Sequence, residues 1–328
     1  MHVEKKYMKL KISLVIFLVF VTAFSSLYFL LDFYKTNYDM FFIWSNEFKK
    51  INWDEKEKLV FIIGSSQSLA LDPTIIEDNL LKRDKNIRVF NLAQAGDVPT
   101  KRIGDINEII SLQPKLIVYG VGLRDFYTEF GMPETFLQSK KSSYNFPEPW
   151  NDLKHYFKIS QPFFSTFETP RIVTLTWLKD LDKPNITNNI EQFKSPFSNV
   201  DETSYVIADS EKIQKSMDRF LPLNNLPQQI TENEIYLKNI IQILDLHDIQ
   251  LVIFVPPMHK LYSNQISEID ENFQKRLLQI SLDTNTPLYF LDEASYDKEI
   301  WFDAFHVSHN RTVTIYNEDI TKIIQKEI

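Results

Sequence analysis

From residue 57 onward, short apolar runs rich in β-branched residues recur along the chain: "KLVFIIG" (58–64), "IRVFNLA" (87–93), "KLIVYGVG" (115–122), "IQLVIFVP" (249–256) and "PLYFLD" (287–292). None alternates with polar residues, so each reads as a strand covered on both faces, the habit of a parallel sheet. Helical signals lie between them. Asp72-Pro73 supplies an N-cap followed by proline at the first helical position. Thr231 with Glu234 reads as a capping box ahead of "IYLKNIIQILDLH", and a last helix is expected over about 309–326. Five strands separated by helices predict a three-layer α/β/α domain on a five-stranded parallel sheet with right-handed crossovers.

Two regions break this rhythm. Residues 131–230 carry many aromatics, several prolines and Asn-rich patches such as "DKPNITNNIEQF". A structureless connection of that length is improbable, so an inserted subdomain or lid is expected over about 131–230. At the other end, "ISLVIFLVFVTAFSSLYFLL" (12–31) holds twenty residues without a charge. As a helix it would be about 30 Å long, enough to cross a bilayer core. Lys5, Lys6, Lys9 and Lys11 precede it and Asp32 follows, which by the positive-inside rule puts residues 1–11 in the cytoplasm. The run exceeds a signal-peptide core, and "YFLLDFYK" offers no small-residue cleavage site. The expected layout is a cytoplasmic tail (1–11), an uncleaved signal anchor (12–31), a stalk (32–56) and an α/β domain (57–328) outside the cytoplasm.

Composition narrows the chemistry. A formal charge of -8 and the lack of a basic stripe argue against a nucleic-acid partner. No cysteine is present, which excludes disulfides, thiolate metal sites and a cysteine nucleophile. His155 and His247 have no carboxylate or histidine at ligand spacing, so no metal site is expected. His259 follows the fourth strand and reads as a turn residue. "NIT" at 185 and "NRT" at 310 match glycosylation acceptors, which matter only in a host that glycosylates.

The chain has only six glycines, and four of them (Gly64, Gly96, Gly120 and Gly122) end or follow the first three strands. In a doubly wound sheet those loops share the carboxyl edge, where ligands bind. The last loop on that edge carries Asp303 and His306 in "WFDAFHVSHNRT". Three residues apart, a carboxylate can fix the tautomer of an imidazole whose other nitrogen deprotonates a hydroxyl. The spacing alone is unspecific, and a serine at a βα turn is often only a helix cap. "FIIGSSQS" at the first turn, however, puts a serine on the same edge, with Gly96 able to offer an N–H. Together these make an acyl-transfer constellation.

"IGSSQS", "NLAQAG", "YGVGLRD" and "DAFH" resemble, in order and spacing, the sequence blocks of the SGNH/GDSL hydrolase superfamily. The resemblance covers about 57–125 and 287–328. It implies a flavodoxin-like fold, Ser66 as nucleophile, Gly96 as an oxyanion donor, and Asp303 with His306 as orienter and base. The anchor, the "GSS" variant and the insertion look most like the membrane-anchored branch, with its alginate O-acetyltransferase-like and D-alanine transfer proteins. Ser65 stands where the family has Asp. The third block normally supplies an Asn, replaced here by Arg124 in one alignment or Gly122 in the other. The implied activity is a serine O-acyl esterase or acyltransferase without a cofactor, acting on a surface glycan and served by a membrane acyl-donor protein. The alternative is a non-catalytic surface or assembly module on the same fold.

Overall fold

The computed structural model describes residues 40–51, 53–84, 86–126, 190–198, 202–220, 231–291, 299–310 and 313–328, with isolated positions at 17, 19–22, 26 and 296. It divides into two compact units, Met1–Asn52 and Trp53–Ile328. The expected span 12–31 falls mostly outside the described residues, although 17, 19–22 and 26 are helical. Among the described residues, no helix is long and apolar enough to cross a membrane. In the first unit, the segment expected as stalk contains helix α1 (Met40–Phe48). Phe41, Trp44 and Phe48 share one face of it, with ring centroids 5.6 and 4.8 Å apart, as i, i+3 and i, i+4 spacing requires.

The second unit is built on β1 (Lys58–Gly64), β2 (Ile87–Asn91), β3 (Leu116–Gly120), β4 (Gln250–Val255) and β5 (Leu288–Phe290). All pairs are parallel, in the order β2-β1-β3-β4-β5. All five expected strands form. Their ends are shorter than the apolar runs because flanking residues such as Leu92, Ala93, Val121 and Gly122 stay buried after leaving the ladder.

Helix α2 (Pro73–Leu81) follows β1, α3 (Pro99–Arg102) and α4 (Ile106–Ser111) follow β2, and α5 (Ser210–Phe220) and α6 (Thr231–Asp245) precede β4. Then come α7 (Lys260–Gln265), α8 (Ser267–Thr284) and α9 (Ile315–Glu327). The chain reverses its direction across the sheet after β2, so right-handed crossovers put α2 and α9 on one face and α3, α6 and α8 on the other. That makes the three-layer arrangement expected from the sequence. Strand β3 is buried along its whole length.

Asp72 caps α2 as expected, accepting from the N–H groups of Thr74 (2.9 Å) and Ile75 (3.3 Å) ahead of Pro73. The cap expected at Thr231 lies at the edge of residues outside the described ones, and Glu234 pairs with Arg276 of α8. One helix start differs from expectation. Helix α9 begins six residues late, because 309–310 are held by the chain at 204–205: His309 N–H donates to Ser204 O at 3.0 Å, and Asn310 Nδ2 to Tyr205 O at 3.3 Å.

Most of the expected insertion lies outside the described residues, and the Asn185 acceptor and the aromatics of 127–189 lie there too. Its described parts are tied to the domain at two places. Residues 190–198 lie along the open edge of β2, where Asn91 N–H donates to Lys194 O at 2.7 Å. The Lys194 ammonium enters a buried pair with Glu77, which also accepts the Val89 N–H at 2.7 Å. An exposed strand edge is thereby covered. Residues 202–220 pack instead against the loop before α9.

Candidate active site

Strands β1 and β3 are neighbours although β2 lies between them in sequence, so the β1/β3 boundary is the topological switch point. Gly64 and Gly120 are register partners at its carboxyl end. The chain leaves β1 through Gly64 and forms a single 3-10 turn, Ser66–Ser68. Gly64 has φ +146°, and a Cβ there would come within 2.6 Å of both Gly120 O and Ser68 Oγ. Only glycine permits both the torsion and the approach. Across the crevice, a Cβ on Gly122 would sit 2.0 Å from Gln67 Oε1. The turn is therefore pressed directly onto the end of β3.

Side chains from distant segments then fix the turn. Asn91, at the end of β2, donates from Nδ2 to Ser68 O (2.9 Å) and Leu71 O (2.8 Å) and accepts the Ala93 N–H at 3.1 Å. Tyr316 of α9 donates to Gln67 O at 3.1 Å, and Asn317 accepts the Asp72 N–H at 2.8 Å. Gln67 Nε2 reaches Phe305 O at 3.2 Å.

Phe305 belongs to a small hairpin. Trp301 and Val307 form an antiparallel bridge, with Phe302 N–H bonded to His306 O and Ser308 N–H to Ile300 O, both at 2.8 Å. Its tip carries Asp303 and His306. Asp303 Oδ1 accepts the N–H groups of Phe305 (2.7 Å) and His306 (2.8 Å). Both Asp303 oxygens lie 2.9 Å from His306 Nδ1, and His306 Nε2 lies 2.9 Å from Ser66 Oγ. Burial alone would raise the Asp303 carboxyl. The bond and charge of His306, with the two N–H donors, outweigh it and leave the group below the ordinary carboxylate value. The hairpin is braced from outside. Ala304 N–H donates to Ser216 Oγ of α5 at 2.9 Å, His259 N–H donates to Ala304 O at 3.1 Å, and the Tyr262 ring meets that of Phe305 at 4.0 Å.

The remaining sequence candidates fall as follows. Gly96 follows β2 with φ +69°, and its O accepts from Lys101 Nζ at 2.8 Å. The N–H groups of Gly96 and Ser66 donate to nothing among the described residues. The Arg124 guanidinium lies 5.2 Å from the Phe305 ring centroid, beside the hairpin tip. Gly122 is a correction: its N–H is engaged by Asp125 Oδ2 at 2.7 Å and is not available as an oxyanion donor. His259 caps α7, accepting the Leu261 N–H at Nδ1 (3.2 Å). His247 lines a cleft of about 570 Å³ at the opposite, amino-terminal edge of the sheet.

Beneath the switch point lies a buried ionic layer that sequence reasoning missed. Arg102 is fully buried; Nε bonds Asp97 at 2.7 Å and an Nη bonds Leu92 O at 3.1 Å. Asp125 is also buried and accepts a hydrogen bond from the Gly122 N–H at 2.7 Å. Burial pushes its carboxyl up to about 7. The Gly122 N–H, the neighbouring Ser65 hydroxyl and Arg124 oppose the rise, and the charge of Asp97 adds to it. Tyr119 of β3, below Asp125, Asp97 and Arg102, is pushed well above its usual value by burial first and those carboxylates second. Asn233 of α6 joins the layers, donating to Asp125 O at 2.8 Å and accepting the Thr100 N–H at 3.1 Å. The quoted blocks contain Asn91 and Asp125; nothing in the sequence points to Ser216 or Asn233.

No family model and no curated protein matches the sequence. Solved structures of similar shape include an acetyl xylan esterase, at 11% identity over 82% of this chain and 99% of that one, with a TM-score of 0.41. A GDSL-like lipase from Bacteroides thetaiotaomicron aligns at 9% identity over 88% and 98%, with a TM-score of 0.41. A catalytic mutant of an acetylxylan esterase from Geobacillus stearothermophilus aligns at 11% identity over 85% and 95%, with a TM-score of 0.41.

Proposed function

We propose that this chain is a serine O-acyl esterase or acyltransferase of the SGNH/GDSL type, anchored by residues 12–31 and acting outside the cytoplasm on a surface glycan or a similar hydroxyl acceptor. The observation that carries the reading is the Ser66–His306–Asp303 relay, with both links at 2.9 Å on the carboxyl edge of the switch point. Ser66 Oγ attacks the acyl carbonyl as His306 Nε2 takes its proton. The imidazolium is stabilised by Asp303 and returns the proton to the departing alkoxide, leaving an acyl-Ser66. In the second half, His306 deprotonates water or an acceptor hydroxyl, which displaces the acyl group and regenerates Ser66. In this mechanism the N–H groups of Ser66 and Gly96 would serve the developing oxyanion, with Arg124, 5.2 Å from the Phe305 ring centroid, as the candidate for the third position. The chemistry needs no cofactor.

The insertion is large enough to hold an acceptor, and the anchor raises the effective concentration of a membrane acyl donor, which favours transfer over hydrolysis. The engaged Gly122 N–H favours the second reading, a non-catalytic module. Full-length protein in detergent, treated with a fluorophosphonate, decides between them. Labelling that is lost in Ser66→Ala supports the enzyme, and an unlabelled wild type supports the module. An activated acyl ester with and without polysaccharide then separates transferase from esterase. A reporter after residue 328 that is active outside the cytoplasm supports the topology; one active only inside refutes it.

A further inference from the structure

Among the described residues, two hydrogen bonds cross from the nucleophile turn to the His306 hairpin: Ser66 Oγ with His306 Nε2 at 2.9 Å, and Gln67 Nε2 to Phe305 O at 3.2 Å. The first belongs to the reacting system. It is spent when Ser66 gives up its proton, and an acyl-Ser66 has no hydroxyl with which to remake it. Through the second half of the reaction, only the Gln67 bond of the two can persist.

Its two ends sit next to the two reacting residues. One peptide bond joins Gln67 to Ser66, and one joins Phe305 to His306. Phe305 O and the His306 N–H lie on opposite edges of the same peptide plane. Asp303 Oδ1 accepts that N–H at 2.8 Å, while Gln67 donates to the carbonyl. The backbone entering the base is thus held from both edges, one by the orienting carboxylate and one by the nucleophile turn. The Gln67 main chain is fixed in turn, because Tyr316 of α9 donates to its carbonyl at 3.1 Å.

The residue type follows from the chemistry of the pair. A carbonyl only accepts, so it takes the NH2 end of the amide, and Oε1 is left toward Gly122. A Cβ on Gly122 would stand 2.0 Å from that oxygen, so glycine at 122 gives the amide its room. Gln67 is only 5% exposed, which keeps water from replacing a lost bond. Methionine would match the length and offer no donor. A carboxyl would donate only while protonated.

We infer that Gln67 is a positioning residue for the acyl-transfer site: its amide ties the turn that carries Ser66 to the peptide that enters His306, and keeps the base beside the acyl oxygen once the direct Ser66–His306 bond is spent. This inference rests on the proposed serine chemistry. The Gln67 side chain takes no proton and forms no bond to the acyl group, so its loss loosens geometry without removing a reacting group. A misplacement of about 1 Å lowers the rate roughly 100-fold.

The test uses full-length protein in detergent and p-nitrophenyl acetate turnover from about pH 5 to about pH 9, with thermal melting at each pH to confirm folding. Gln67→Met is expected to lower kcat roughly 10- to 100-fold with KM little changed. Gln67→Glu reads the donor itself. Burial against a carbonyl raises a carboxyl, so at low pH this side chain is protonated and donates to Phe305 O. The ratio of its kcat to that of wild type at the same pH, which cancels the titration of His306, should fall from near one to the Gln67→Met level as pH rises. Poor folding of Gln67→Met leaves this ratio as the test. A Gln67→Met kcat within about threefold of wild type, a raised KM at unchanged kcat, or a Gln67→Glu ratio that ignores pH overturns the positioning role. A wild type that a fluorophosphonate does not label overturns the serine chemistry itself, a distinct result.

Discussion

Asp303→Asn probes the relay at its most geometric point. Asp303 Oδ1 already accepts two backbone N–H groups, from Phe305 and His306, and both carboxylate oxygens lie 2.9 Å from His306 Nδ1. Asparagine has nearly the same shape, and its single carbonyl oxygen best replaces Oδ1, because two buried N–H donors depend on that atom. Its NH2 group then takes the place of Oδ2 and faces Nδ1 as a donor. The imidazole can satisfy that donor only by moving its proton to Nε2, where it points at Ser66 Oγ. The base becomes a donor to the group it should deprotonate. A wrong tautomer lowers kcat by roughly 10⁴, about 5 kcal/mol of transition-state stabilisation. Turnover of an activated acyl ester by full-length Asp303→Asn in detergent, beside wild type and Ser66→Ala, reads this directly. Folding is expected to survive, since the backbone acceptor remains. Activity within tenfold of wild type would refute the tautomer argument and the role of Asp303 with it.

Gly64→Ala introduces a Cβ within 2.6 Å of Gly120 O at a φ of +146°, so it should lower unfolding free energy by about 2–4 kcal/mol, read by urea denaturation; a change under about 0.5 kcal/mol contradicts the close-approach account. Ser216→Ala leaves the Ala304 N–H without its acceptor and should destabilise by about 1–3 kcal/mol while reducing kcat, measured by thermal melting and ester turnover; unchanged kcat would show that α5 does not brace the hairpin. The Asp125 carboxyl is raised from near 4 when unfolded to about 7 when folded, so the folded state holds more protons between those values. Stability should therefore fall by up to about 4 kcal/mol as pH rises from 4 to 7 and then level off. Asp125→Asn should lose that slope, and identical pH–stability curves for the two proteins would contradict the buried-carboxyl assignment.

What the sequence makes legible is local. The five strands, the Asp72-Pro73 cap and the Asp303–His306 spacing each depend on residues a few positions apart, and each forms. The glycines are half-readable. Their scarcity and placement mark the carboxyl edge, but only the structure shows that Ser68 and Gln67, rather than a ligand, approach Gly64 and Gly122. What sequence reasoning misses is held by side chains reaching far along the chain. Asp125 O to Asn233 spans 108 positions, Ala304 to Ser216 spans 88, and Gln67 to Phe305 spans 238. No period or motif marks such a pair, because each partner would be equally ordinary as a surface residue. Glu234 likewise pairs with Arg276 of α8, a partner invisible in the local sequence.

In the proposed mechanism, the site is best held where a proton would be transferred and sparsest where negative charge would develop. Ser66 and His306 meet at 2.9 Å with no substrate present, held by strand β2, helices α5, α7 and α9, and the hairpin's own ladder. Little reorganisation is then needed before attack, which is where a preorganised site gains its rate. The oxyanion side has the N–H groups of Ser66 and Gly96, but the Gly122 N–H is engaged by Asp125. One missing donor weakens transition-state stabilisation by roughly 3–4 kcal/mol. Asp125 thus takes a backbone donor out of the proposed oxyanion hole. Activated acyl donors, which need less oxyanion stabilisation than a resting ester, would suit such a hole best, and under the proposed serine chemistry that favours a relay from a high-energy donor over hydrolysis of stable esters.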